Sequence, residues 1–286
     1  MEIYYRNITL LACLILALFS YGFVFILKNK FSYKRYINLC ERIKTWIMII
    51  GVLYIGSLSK VTFLGLFGVI SFTCVKEFYN IFQIKYYRNT MIYSAIIICI
   101  NYFLIYKNCL GLYLLFIPVI LLVFGYFLKE KKEMCISIFI SAYLISFITY
   151  LINKTFGIKE IILYIMIIEL NDIYQYITGS ILGKTKIVPK ISPNKTLEGV
   201  LGGILLTTLT IILMKSFYWK ELHVWSGIII SILGFCGDIF ISHFKRRYNI
   251  KDSGTFLKGH GGILDRVDSL VFNSPFIFLM VYMYGK

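Results

Sequence analysis

Apolar residues in this chain come in runs of roughly helical-span length, separated by short polar and basic stretches. The runs fall at about 8–27, 44–59, 61–82, 90–106, 109–128, 134–153, 158–182, 197–218, 222–243 and 269–284. Most approach the ~17–25 residues that a helix needs to cross the hydrocarbon core of a bilayer. No segment alternates with period two over ~10 residues, which disfavours a membrane barrel. The pattern predicts an all-α, polytopic membrane protein with about ten transmembrane helices. Only Ser57-Leu58-Ser59-Lys60 separates the second and third runs, so these form a tight hairpin or include a re-entrant segment. Pro118 and Pro275 fall inside runs and predict kinks there. The first run lacks a strongly basic start and a small-residue cleavage site, and reads as a retained span rather than a cleaved signal.

Composition agrees. The chain has 286 residues, of which 59% are apolar and 15% charged, and its mean hydropathy is +0.78. Soluble domains are ~45–50% apolar. The net charge of +16 does not point to nucleic acid, because the basic residues sit between apolar runs, where juxtamembrane anchors meet anionic headgroups. With both termini outside, the inner loops hold 21 of the 30 lysines and arginines and the outer segments eight. Positive loops stay on the cytoplasmic side, so this bias places the 242–268 segment inside the cell; the expected location is a bacterial inner (cytoplasmic) membrane. Seven cysteines, none in a CxxC pair and most within apolar runs, read as packing residues rather than disulfides or a zinc site. No soluble domain, linker or internal repeat is visible. The chain reads as one membrane unit, with N-terminal helices over 1–155 and a catalytic region over 156–286.

The chemistry concentrates at two places. In the ninth run Asp238, Ser242 and Lys245 stand at i, i+4 and i+7 and share a helix face. Gly234 and Gly237 allow close approach of a helix or ligand. A carboxylate in an apolar helix marks a site or pairs with a cation, and Lys245 is one such cation. Asp265 and Asp268, at i and i+3, open the tenth run just after Gly259-His260-Gly261-Gly262. They either cap a helix N-terminus or, with Asp238, hold Mg²⁺, which takes one or two carboxylates plus substrate phosphate oxygens. The glycines can turn N–H groups toward phosphates, and His260 can bind phosphate or move a proton. His223 and His243 read as structural. The second place begins in the seventh run, where Asp172, Tyr176, Gly179 and Gly183 form one stripe with Glu169 on the same side. Lys184, Lys186 and Lys190 follow as topogenic or phosphate-facing charges. The turn Ser192-Pro193-Asn194-Lys195 can set a hydroxyl and an ammonium on phosphate oxygens. Glu77, beside Lys76 in an apolar run, pairs with Lys76 or with a basic residue of another helix, and its function is open.

Together these residues resemble the phosphatidate cytidylyltransferase (CDP-diacylglycerol synthase) family. Its long motif is matched in register by Ser242, Phe244, Lys245, Arg246, Lys251, Asp252, Gly254, Leu257, Gly259, His260, Gly261, Gly262, Ile263, Asp265, Arg266, Val267 and Asp268. Lys258 departs from it, standing where proline is usual. Upstream, Gly237-Asp238 matches, although Ile241 replaces a usual glutamate. Asp172, Tyr176, Gly179, Gly183-Lys184, Ser192-Pro193, Lys195 and Glu198-Gly199 match a second block, so the resemblance covers about 169–270.

The resemblance implies transfer of CMP from CTP to phosphatidate, giving CDP-diacylglycerol and pyrophosphate, with Mg²⁺ and room for a second cation. It implies that Asp238 and Asp265 bind metal with Asp268 in support, and that Lys245 and His260 join Asp238 and Asp265 as catalytic groups. It further implies that Asp172, Ser192, Lys195, Ser242, Arg246, Lys251, Asp252, Gly259, Gly261, Gly262 and Arg266 line the substrate site. Membrane lipids are the surroundings, and a homodimer stays open. Two other readings are a CTP-dependent lipid-alcohol kinase and a transporter with intramembrane carboxylates. The richest motif lies in an interfacial loop rather than at the bilayer midplane, which counts against the transporter.

Overall fold

The computed structural model describes residues 33–84, 87–127, 132–153, 157–217, 223–254 and 261–284. These form α1 (Tyr33–Gly56), α2 (Lys60–Ile81), α3 (Tyr87–Tyr106), α4 (Leu110–Phe127), α5 (Lys132–Asn153), α6 (Gly157–Leu182), α7 (Leu197–Phe217), α8 (Trp225–Arg247), the short α9 (Leu264–Val267) and α10 (Leu270–Tyr284). The apolar run at 8–27 lies outside the described residues. The other nine runs coincide with helices. Six helical stretches are long and apolar enough to cross a membrane: Lys60–Ile81, Arg88–Tyr106, Lys132–Asn153, Glu160–Leu182, Leu197–Lys215 and Trp225–Arg247. The apolar part of α4 is shorter, as is the 15-residue α10. The regular structure of the described residues is helical apart from one isolated bridge, Lys186 with Thr196, and the chain is an integral membrane protein.

Helices prevail because lipid offers no partner for backbone N–H and C=O groups, so each span must satisfy its own. Large apolar side chains face outward, among them Ile181 and Leu122, while hydroxyls and amides face inward. Ser71 bonds the Tyr102 hydroxyl at 2.9 Å, and Asn101 donates to the Ser146 hydroxyl at 3.1 Å. Such bonds join helices where apolar burial cannot, since lipid is as apolar as leucine. α1 and α2 form a hairpin. Ser59 accepts from the Thr62 N–H at 3.1 Å and the Thr62 hydroxyl accepts from the Ser59 N–H at 2.9 Å, a reciprocal cap that starts α2. Lys60 ties this turn to Asn153 at the end of α5. Near its middle α5 widens by one π-turn, Phe139–Leu144. Pro118 and Pro275 do lie inside helices, α4 and α10.

Two packings position the polar end of the molecule. α6 crosses α7 closely at glycines: a Cβ on Gly199 would stand 2.8 Å from the Gln175 carbonyl oxygen and 3.1 Å from the Gly179 Cα. The C-terminal turns of α2 and α8 meet through aromatic rings, with Phe82 5.6 Å from Phe244 and 5.2 Å from Tyr248. Asn249, at φ 56°, turns the chain out of α8 in the left-handed conformation that asparagine tolerates, and the Ile250 N–H closes on the Lys245 carbonyl at 2.8 Å. α10 packs back on α8 and α5, its Phe278 ring 5.2 Å from Phe147.

Candidate active site

The helical register of α8 aligns Asp238, Ser242 and Lys245, but the aspartate and lysine do not pair with each other. Ser242 donates to Asp238 Oδ1 at 3.2 Å. Asp238 Oδ2 pairs with Lys195 Nζ at 2.5 Å, and Lys245 Nζ pairs with Asp265 Oδ1 at 2.6 Å. Lys195 reaches α8 because the chain between α6 and α7 doubles back. Ile187 N–H bonds the Lys195 carbonyl at 3.2 Å, Leu197 N–H bonds the Thr185 carbonyl at 2.9 Å, and Lys186 bridges Thr196. Glu198 braces this return by accepting from the N–H groups of Lys184 (2.9 Å) and Thr185 (3.1 Å).

Asp265 is the more enclosed acid. Its Oδ2 accepts from the N–H groups of Ser253 (3.0 Å) and Gly262 (3.1 Å), while Oδ1 holds Lys245. Burial pushes its carboxyl up, but the Lys245 ammonium and the two amides outweigh that, so it sits below its ordinary value. Gly261 is at φ +80°, and a Cβ there would run into the Asp265 carboxylate. Only glycine meets both demands.

Asp268 is buried, and its Oδ1 accepts from the Ser269 N–H at 2.8 Å. Burial first, then the charges of Asp238 and Asp172, push its carboxyl well above the ordinary range. Lys195 is held above its usual value: burial pulls it down, but Asp238 and Asp172 outweigh that. The α6 acid Asp172 is therefore within electrostatic reach of both, as Arg266 is of Glu169 and Asp172. Acids from α6, α8 and the α9–α10 junction thus meet two lysines at one end of the bundle.

The sequence profile of the cytidylyltransferase family matches residues 41–284. This chain belongs to the cytidylyltransferase family. It is 34% identical over 261 residues to the uncharacterized protein YnbB of Escherichia coli K12, covering 84% of this chain and 86% of that protein. It is 40% identical over 141 residues to a phosphatidate cytidylyltransferase of Staphylococcus epidermidis and 38% over 141 residues to that of Staphylococcus aureus. Those matches cover 48% of this chain and 54% of each staphylococcal enzyme, about half its length.

In this cytidylyltransferase the donor set suits a hard cation. Asp172 on α6 lies beside the Ser269 hydroxyl, which hydrogen-bonds it, and within reach of the mutually repelling carboxylates of Asp238 and Asp268. Among the described residues no three acids, histidines or cysteines already stand as a ready ligand set. Mg²⁺ does not require one, because it keeps waters and takes substrate oxygens beside one or two carboxylates.

The remaining candidates divide by position. Arg246 is exposed and donates to the Ile191 carbonyl at 3.1 Å and the Ile250 carbonyl at 3.2 Å, which pins the Ser192 turn to the end of α8. Lys251 and Asp252 are exposed. Gly259 and His260 lie outside the described residues. Below the acids, Gln175 donates to the Ser231 carbonyl (3.1 Å) and Thr207 to Asn171 Oδ1 (3.2 Å), joining α6, α7 and α8. The i, i+4 pair Asn171 and Gln175, beside Asp172, was the available sequence signal for this brace. The ion pair expected of Glu77 is not found among the described residues. Among the described residues its hydrogen bonds come from the Ser253 hydroxyl and the N–H groups of Ile263 and Leu264.

Proposed function

We propose that this cytidylyltransferase transfers CMP from CTP to phosphatidate, forming CDP-diacylglycerol and pyrophosphate, at the cytoplasmic face of the membrane. The observation that carries the reading is the paired arrangement Lys195–Asp238 and Lys245–Asp265 at one end of α8. The staphylococcal phosphatidate cytidylyltransferases support the choice of lipid substrate.

The phosphate of phosphatidate is already an anionic nucleophile, so no base is needed to create one. The barrier lies in bringing two polyanions together in line and in carrying the charge that builds on departing pyrophosphate. Lys195 and Lys245 are ammonium groups held among acids, able to leave a carboxylate for a phosphate oxygen as substrate enters. Arg266 adds a third cation and Ser242 a hydroxyl donor. Ser192 sits in the turn that Arg246 pins. Asp238, Asp265 and Asp268 would hold Mg²⁺, with Asp172 within electrostatic reach of the same group of acids. Bound there, the ion would neutralise phosphate charge and favour the leaving group. The basic rim of the loops would concentrate anionic lipid and nucleotide.

The test uses purified protein, phosphatidate, a lipid alcohol such as diacylglycerol, Mg²⁺ and CTP labelled at either its α- or its γ-phosphate. Label from the α-position entering the lipid phase supports cytidylyl transfer. Label from the γ-position entering a lipid alcohol instead would assign the chain to lipid phosphorylation.

A further inference from the structure

We propose that Glu77 is a positioning residue of the site: from α2 it holds both flanks of the 254–262 segment and thereby sets where Asp265 stands. The inference rests on the cytidylyl-transfer reading for its kinetic consequence, but not for its structural one.

Glu77 is 6% exposed near the C-terminal end of an apolar helix. A carboxylate in such a place is costly unless each oxygen is satisfied. Here Oε2 accepts from the Ser253 hydroxyl at 2.6 Å and the Leu264 N–H at 2.9 Å, and Oε1 accepts from the Ile263 N–H at 2.8 Å. These donors are 176 to 187 residues away in sequence, on either side of the 254–262 segment. Asp265 grips the same flanks through the N–H groups of Ser253 and Gly262. Ser253 is therefore held by its hydroxyl to Glu77 and by its amide to Asp265. The amides of 262, 263 and 264 point to one carboxylate or the other. Together the two acids close the base of the segment.

The glycines fit this role. A Cβ on Gly254 would stand 2.9 Å from Glu77 Oε1, and one on Gly262 would overlap Glu77 Oε2 and the Ser253 hydroxyl. Their small size makes room for the clamp. The clamp is also anchored: Phe78, next to Glu77, stacks 5.6 Å from Phe82, which packs on Phe244 one residue before Lys245. α2 and α8 thus approach Asp265 from two sides, one through Glu77 and the other through Lys245. The task needs an acceptor-only group. A glutamine could satisfy one oxygen position, but its NH₂ would oppose the Leu264 N–H or the Ile263 N–H.

The experiment compares the full chain in lipid nanodiscs with Glu77→Gln, Gly262→Ala, their double variant and Ser71→Ala. The last removes a buried hydrogen bond from the same helix away from the site. Hydrogen exchange is followed on peptides covering 261–266, and kcat and KM for CTP are measured with phosphatidate. Losing a charge-assisted bond should raise local opening at 261–266 about tenfold or more in Glu77→Gln. A small displacement of Asp265 should lower kcat up to about a hundredfold, with KM for CTP changing far less. Gly262→Ala should reproduce both effects, and the double variant should be no worse than the poorer single one. Ser71→Ala should change neither exchange at 261–266 nor kcat. Unchanged exchange at 261–266 in both Glu77→Gln and Gly262→Ala would overturn the proposal, as would additive losses in the double variant. If wild-type protein makes no CDP-lipid, the function reading falls, while the exchange data still decide whether the clamp exists.

Discussion

Replacing Asp265 by Asn tests the centre of the site. The aspartate and Lys245 side chains are only 12% and 10% exposed, and the ammonium stands 2.6 Å from Oδ1. Removing one member of so enclosed a pair strands the other charge, which costs about 3 kcal/mol or more. The amide cannot avoid a second conflict. If its oxygen keeps the Ser253 and Gly262 N–H groups, its NH₂ faces the ammonium. If it turns over, NH₂ faces two N–H donors. Either arrangement leaves at least one buried donor opposed, adding about 1 kcal/mol. At ~2–4 °C per kcal/mol for a domain of this order of size, the combined loss of about 4 kcal/mol corresponds to a fall in Tm of about 8–16 °C. Turnover should drop by at least a hundredfold, because a preorganised charge near the phosphates is lost. Adding Lys245→Met removes the stranded cation and should recover most of the lost stability but none of the activity. The assay is thermal unfolding of detergent-solubilised protein beside transfer of labelled CMP to phosphatidate. If Asp265→Asn alone melts within a degree or two of wild type and turns over normally, the Lys245–Asp265 pair has neither role.

Three further outcomes follow from the same geometry. Lys195→Ala removes a partly buried cation, 21% exposed beside Asp238 at 24%, and leaves Asp238, Asp172 and Asp268 facing one another, so stability should fall by about 1–3 kcal/mol while the rate falls steeply; a normal rate in the folded variant would reverse that assignment. Gly199→Ala places a methyl group 2.8 Å from the Gln175 carbonyl at the α6–α7 crossing and should destabilise by about 1–3 kcal/mol, measured by thermal unfolding. Chelation of divalent ions should stop turnover reversibly, and Asp238→Asn should raise the Mg²⁺ concentration for half-maximal rate about tenfold or more; metal-independent turnover would remove the ion from the reaction.

The chain by itself determined the helices and the short-range order of its polar residues. Runs of apolar residues this long must become self-satisfied helices in lipid, and nine of the ten predicted runs meet described helices. The spacing of Asp238, Ser242 and Lys245 placed them on one face because helical periodicity is a property of adjacent turns. It could not say which charge meets which. Asp238 and Lys245 share a face two turns apart, yet each takes its ion-pair partner from elsewhere, Lys195 and Asp265. That choice depends on the glycine-lined crossing of α6 with α7 and on the return of the chain between them. Glu77 shows the same limit from a greater distance. Its burial was legible as a carboxylate in an apolar run, but its donors lie 176 or more residues away, and the packing of α2 against α8 and α9 brings them within reach. Helix formation is decided by neighbours along the chain, whereas the pairing of buried charges is decided by helix crossings, which no local spacing encodes.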